Sequence, residues 1–185
     1  MFLSKPQQNQ LLTLAWQSVA HGLKTGKPLH IDLAQYPAPL AESHATFVTL
    51  SCFNKPRGSF GNLRAVRPIA EDVCENAFAA SFCDRHYPAI TDMEIKDLKI
   101  QIDLLSPLEN IDFNSEINLI GQLKPHVDGL VLYDGSHHAF LMPSNWDQLH
   151  TPMQFLQQLK LKAGLPSPYW SKAIKVSRFT IESVI

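Results

Sequence analysis

The chain has 185 residues, 45% of them apolar and 18% charged, with 16 Lys and Arg against 17 Asp and Glu for a net charge of −1. That composition supports a packed core and excludes intrinsic disorder, which needs low hydrophobicity with high net charge. A near-neutral chain also lacks the basic excess that nucleic-acid binding requires, and the length fits one domain over residues 1–185, or one domain with two lobes.

Ser4 with Gln7 three residues on opens a helix as a capping box, with Pro6 tolerated in the first turn. Leu11, Leu12, Ala15, Trp16, Val19 and Leu23 recur at helical spacing, and Gly26 marks the stop. Residues 28–44 carry Pro37 and Pro39 without a clear period and read as a long surface connection. Thr46 to Phe53 is a strand, with Thr46, Val48, Leu50 and Cys52 on one face and Phe47, Thr49 and Ser51 on the other. A glycine-containing turn region is expected over Asn54 to Asn62. Pro68 then opens a helix with Glu71 and Asp72 in its first turn, ending near Asp84.

Leu98, Ile100, Ile102 and Leu104 alternate with Lys99, Gln101 and Asp103, a strand with one wet face. A short helix over Glu116 to Leu123 precedes a hairpin, Leu130–Tyr133 and Ser136–Met142, expected to turn at Asp134-Gly135. Thr151-Pro152-Met153-Gln154 is a second capping box, and Gly164 followed by Leu165 ends that helix. Ile174 to Ile181 is extended. Helices and strands mix without regular βαβ alternation, so the fold class is α+β, with a mixed or mainly antiparallel sheet flanked by helices.

Cys52, Cys74 and Cys83 cannot all pair and none lies in a CxxC spacing, so neither a disulfide scaffold nor a CxxC zinc site is expected. Residues 11–16 are too short for a secretion signal, and no window approaches the ~18–20 apolar residues that span a bilayer. Cytoplasm is the expected location, without membrane association.

Arg57-Gly58-Ser59-Phe60-Gly61 is the most informative stretch. It is not a P-loop, since no Gly-Lys-Ser/Thr follows, and Arg57 stands where a Gly-x-Ser-x-Gly elbow needs its first glycine. It reads either as a tight turn after a strand or as a ligand loop whose N–H groups and Arg57 hold an anion. Asp84-Arg85-His86-Tyr87-Pro88 gathers an acid, a guanidinium, an imidazole and a phenol. That segment either orients a substrate or makes a local ion pair that packs a turn. The eight histidines are scattered, and the neighbours His137 and His138 point to opposite strand faces, so no metal is expected.

Several segments together resemble the AMMECR domain family, whose bacterial and archaeal members are called AmmeMemoRadiSam system protein A. Residues 45–50 followed by Arg57-Gly58-Ser59-Phe60-Gly61 resemble the family's strand and its Leu-Arg-Gly-Cys-Ile-Gly signature. Arg67 to Val73 with Asn76-Ala77, Asp84 to Pro88, Leu104 to Pro107, Val127 to Leu132, and Lys162 to Pro166 with Trp170 continue the resemblance in order. It implies a single cytoplasmic α+β domain of two unequal lobes with the signature near a groove between them, associated with a Memo-like protein and a radical SAM enzyme. This chain departs from the signature at Pro56, Ser59 and Phe60, where the family has Leu, Cys and Ile, and it has Arg85 where the family has proline.

A serine hydroxyl replaces a thiol that would be the metal ligand and nucleophile, so Ser59 is expected to hydrogen-bond within the turn and to hold no metal. No cofactor is expected. The candidate ligand site comprises Arg57, Gly58, Ser59 and Gly61 with Asn76, Asp84 and Arg85. The function is then either binding or processing of a small molecule or modified peptide, or a non-enzymatic adaptor role toward the Memo-like and radical SAM proteins.

Overall fold

Small side chains decide how the first helix packs. A computed structural model describes residues 3–185, and α1 (Lys5–Thr25) buries Leu11, Leu14, Ala15, Ser18, Val19 and Gly22. Leu12 and Trp16 of the expected stripe are half-buried, so the helix is rotated toward its smaller residues. The cause is α3 (Ile69–Phe82), which lies close enough that Ser18 Oγ donates to the Cys74 carbonyl (2.7 Å) and a Cβ at Gly22 would strike the rings of Phe78 and Phe82. Gln7 Oε1 accepts from the Ser4 N–H (2.8 Å), and Gly26 closes the helix with φ 69°. The connection that follows carries a 3-10 turn (Leu33–Gln35) and the short α2 (Ala38–Ala41), which buries Leu40.

β1 (Ala45–Cys52) turns back through Phe53-Asn54, both at positive φ (51° and 60°), into β2 (Lys55–Gly61). The expected turn region over residues 54–62 is therefore mostly strand. Glycines invite that misreading because they weaken strands in general. Here neither Gly58 nor Gly61 has positive φ, and what each supplies is close approach. A Cβ at Gly58 would be driven into the Ala80 carbonyl of α3, and one at Gly61 into the Thr46 carbonyl and the Phe47 ring. Pairing runs Leu50 to Gly58 and then Ser51 to Pro56, so Arg57 is the extra residue of a β-bulge.

β3 (Leu98–Leu105) pairs antiparallel with β1, and the first sheet has the order β2-β1-β3-β8, where β8 is Ile181–Val184. Val48, Leu50, Ile100, Ile102 and Leu104 pack under α1 and α3 as one apolar cluster. The wet face expected for β3 holds at Lys99, but Asp103 is buried, accepting from Ser183 Oγ (2.6 Å) and Gln101 Nε2 (2.9 Å).

The chain divides into two compact units, residues 1–105 with 182–185, and residues 106–181. The second unit holds β4 (Glu109–Asn110), α4 (Glu116–Gln122), β5 (Gly129–Asp134), β6 (His137–Leu141), α5 (Pro152–Lys162) and β7 (Lys175–Phe179), with sheet order β4-β7-β5-β6. All of its strand pairings are antiparallel. The hairpin turns at Gly135-Ser136 rather than Asp134-Gly135, because Asp134 still pairs with His137. Only Gly135 needs positive φ (61°), the requirement of a type II′ turn. Its core stacks Trp146 on Phe155 (centroids 3.9 Å apart), and Trp146 Nε1 donates to the Asp128 carbonyl.

Substituting the glycines separates their roles. Gly58→Ala is expected to cost about 1–3 kcal/mol by forcing β2 away from α3. Gly121→Ala, on α4 in open space, is expected to stabilise by up to about 1 kcal/mol. Urea denaturation of the two variants checks this, and equal midpoints would contradict it.

Candidate functional site

Arg57 is held within the fold. The bulge in β2 aims its side chain at the segment after α3, where Nε donates to Glu94 Oε1 (2.5 Å) and Nη2 to Glu94 Oε2 (3.1 Å). Nη1 donates to the Pro88 carbonyl (2.7 Å) and Nη2 also to the Ala89 carbonyl (3.2 Å). The Arg57 side chain is only 13% exposed. Four of its five N–H donors are thus engaged by a carboxylate and two carbonyls, which leaves a single Nη1 N–H for a ligand anion. Glu94, which sequence reading missed, also accepts from the Thr91 N–H and hydroxyl (2.9 Å each), capping the 3-10 turn Asp92–Asp97. Thr91 followed three residues later by Glu94 was the available signal. The Arg57 hydrogen bond, aided by the Thr91 N–H, holds the Glu94 carboxyl down at about 2.

Asp84 performs a second structural task. Its Oδ2 accepts from the Ser59 N–H (2.8 Å) and its Oδ1 from the His86 N–H (2.7 Å). β2 is the edge of its sheet, so Asp84 closes the unpaired strand edge at its middle, which blocks pairing with another chain there. Burial alone would raise its carboxyl, but the N–H groups of His86 and Ser59 outweigh that and hold it below the usual carboxylate range. Ser59 therefore bonds through its N–H and not, as expected, through its hydroxyl within a turn. Its side chain is exposed on the strand. Arg85 and His86 are exposed as well.

Asn76 lies away from this surface. It is fully buried, and its Nδ2 donates to Thr46 Oγ1 (2.9 Å), the Thr46 carbonyl (3.1 Å) and Asp72 Oδ2 (2.9 Å). Asp72 also accepts from the Thr46 hydroxyl (2.6 Å) and pairs with Arg67 Nε (3.0 Å). Burial pushes the Asp72 carboxyl up, against the pull of the Thr46 hydroxyl and Arg67. This cluster ties β1 to α3 from inside.

The structure thus brings Arg57, Gly58, Ser59 and Asp84 together around β2, leaves Asn76 in the core and leaves Arg85 at the surface. The face of the first sheet that points away from α1 and α3 carries the alternate side chains of these strands. Register sets Thr49 opposite both Ser59 and Gln101, a neutral polar row across three strands. The next row sets Phe47 opposite Gly61 and Asp103. Alternation in β1 and β3 was the sequence signal for Thr49 and Gln101.

Among the described residues no group of three His, Cys, Asp or Glu is placed to hold a metal ion. Burial pushes the Cys74 thiol up to about 12, leaving it inert. No described helix is long and apolar enough to cross a membrane.

Two sheets with flanking helices, a glycine-bearing edge strand and an occupied arginine define an α+β protein of this two-unit type. The AMMECR1 family model matches residues 12–184, and the chain belongs to that family. A protein of Methanococcus aeolicus is 30% identical over 164 residues, covering 85% of this chain and 80% of its own. One of Thermococcus onnurineus is 30% identical over 183 residues, covering 93% and 86%. The crystal structure of an uncharacterised protein from Pyrococcus horikoshii is similar at a TM-score of 0.90 and 27% identity, covering 99% of this chain and 93% of that one.

The depressed Glu94 carboxyl makes the Arg57 clamp acid-sensitive. A group held below its ordinary 4.5 contributes stability that is complete above that value and lost as pH falls through about 2. Glu94→Gln is therefore expected to lower Tm at pH 7 and to converge on the parent as pH approaches 2. A difference independent of pH, followed by thermal melts across that window, would contradict the clamp.

Proposed function

We propose that the whole chain acts as one cytoplasmic binding domain, recognising a small polar molecule or modified peptide on the helix-free face of the first sheet. The observation that carries this reading is the row Ser59, Thr49 and Gln101, three neutral hydrogen-bonding side chains side by side on adjacent strands. Each can donate and accept, so the row suits carbonyl, amide or hydroxyl groups rather than a bare anion. Ser59, Gly61 and the exposed Arg85 stay in the proposed site. Gly58 and Asn76 lie on the helix side of this sheet, and Arg57 and Asp84 tie β2 to the segment after α3.

A second reading, a non-enzymatic adaptor toward a Memo-like protein or a radical SAM enzyme, is favoured by one observation. Phe53 is 73% exposed at the hairpin tip and sits at φ 51°, a conformation a bulky residue rarely adopts. Strain of this kind is retained where the side chain is wanted.

Amide-resolved NMR distinguishes the two. Titration with a set of small amides, hydroxy compounds and acetylated peptides is expected to move Thr49, Ser59 and Gln101 together, and Ser59→Ala with Thr49→Ala to abolish the shifts. If no compound moves that row, while the two candidate partner proteins bind and Phe53→Ser releases them, the adaptor reading replaces the binding one.

A further inference from the structure

The second unit contains a cavity remote in sequence from the signature. β4 is only two residues long, and after the Ile111 N–H bonds the Val176 carbonyl (2.9 Å) the chain parts from β7. The space left between residues 110–114 and 170–176 is a cavity of about 530 Å³, inside the ~300–1,000 Å³ typical of small-molecule sites. Buried Ile111, Ile174 and Val176 line its floor. Phe113 and the half-buried Trp170 form an aromatic wall, their ring centroids 5.6 Å apart at a 55° tilt.

Charge at the rim is unbalanced. Lys172 and Lys175 line the cavity, both exposed, and neither has a carboxylate within ion-pair distance among the described residues. Asp112 is the one acid in the lining. A net positive rim above an aromatic wall selects for negative charge joined to a flat apolar body.

The walls are held in place before any ligand arrives. Buried Lys160 donates to the Tyr169 carbonyl (3.2 Å) while paired with Glu116 (2.7 Å), and Ser171 Oγ bonds Asp134 Oδ2 (3.2 Å). Trp170 is therefore anchored on both sides. Opposite it, Ser177 Oγ donates to Asn110 Oδ1 (2.8 Å). Fixed walls reduce the ordering cost of binding.

We propose that this cavity binds a planar aromatic molecule carrying a phosphate or carboxylate, its ring against Trp170 and its anion toward Lys172 and Lys175. The test uses four probes on the full chain: adenosine monophosphate, 2-naphthoate, adenosine and ribose 5-phosphate. Amide shifts at residues 110–114 and 170–176, with tryptophan fluorescence, report binding. Both aromatic anions, or one of them, are expected to saturate, which also tells a nucleotide from a carboxylate. Adenosine and ribose 5-phosphate are expected to bind at least about tenfold more weakly.

Lys172→Ala with Lys175→Ala alters only exposed side chains, so the fold stays intact, and is expected to weaken the anions about tenfold without weakening adenosine. Trp170→Leu removes both the stacking surface and its fluorescence response. Equal binding of adenosine would overturn the anion half of the proposal, and equal binding of ribose 5-phosphate the aromatic half. No saturable shift in those segments with either aromatic anion would overturn it entirely.

Discussion

Gly58 has no side chain, and the Ala80 carbonyl at the end of α3 occupies the place where one would be. That close approach seats β2 against the helix, and the features around it depend on this seating. With β2 seated, the bulge opposite Leu50 and Ser51 throws Arg57 toward the segment after α3. Arg57 then fixes Glu94 and the carbonyls of Pro88 and Ala89. Asp84, carried on the same returning segment, reaches the Ser59 N–H and closes the strand edge. A backbone-to-backbone fit, a bulge, an ion pair and an edge cap thus form one linked arrangement within the first unit.

The consequence for function is a division of labour among the signature residues. Charged groups there are consumed by the fold, because a partly buried guanidinium or carboxylate must be paired to be tolerated at all. On the half of β2 that follows the bulge, the exposed side chains are neutral, Ser59 and Phe60. Serine at position 59 suits that arrangement, since a hydroxyl offers hydrogen-bonding capacity without thiolate chemistry.

Local chemistry in the sequence accounts for much of the fold. α3 begins after Pro68 and ends before Asp84, and α5 has its capping box in place, with Gln154 N–H to Thr151 Oγ1 at 3.2 Å. These features were legible because each is written within a few neighbouring residues. The role of Gly58 was not, because the Ala80 carbonyl that requires it is more than twenty positions away. The sequence leaves Arg57 open between a turn residue and an anion-holding one for the same reason: its partner Glu94 is distant in sequence, and nothing local marks the pairing. Asn76, expected at the ligand site, is a core group through its i, i+4 contact with Asp72 and its bond to Thr46, and the latter lies thirty positions away in the chain.

Whether Arg57 belongs to the fold is most directly measured by a double-mutant cycle between Arg57→Met and Glu94→Gln, followed by chemical denaturation at neutral pH and moderate salt. A structural clamp should give a coupling free energy of roughly 1–3 kcal/mol, with the double variant much less destabilised than the two singles combined. Single effects that add to within about 0.5 kcal/mol would mean the two side chains act independently, returning Arg57 to the role of a ligand-facing group.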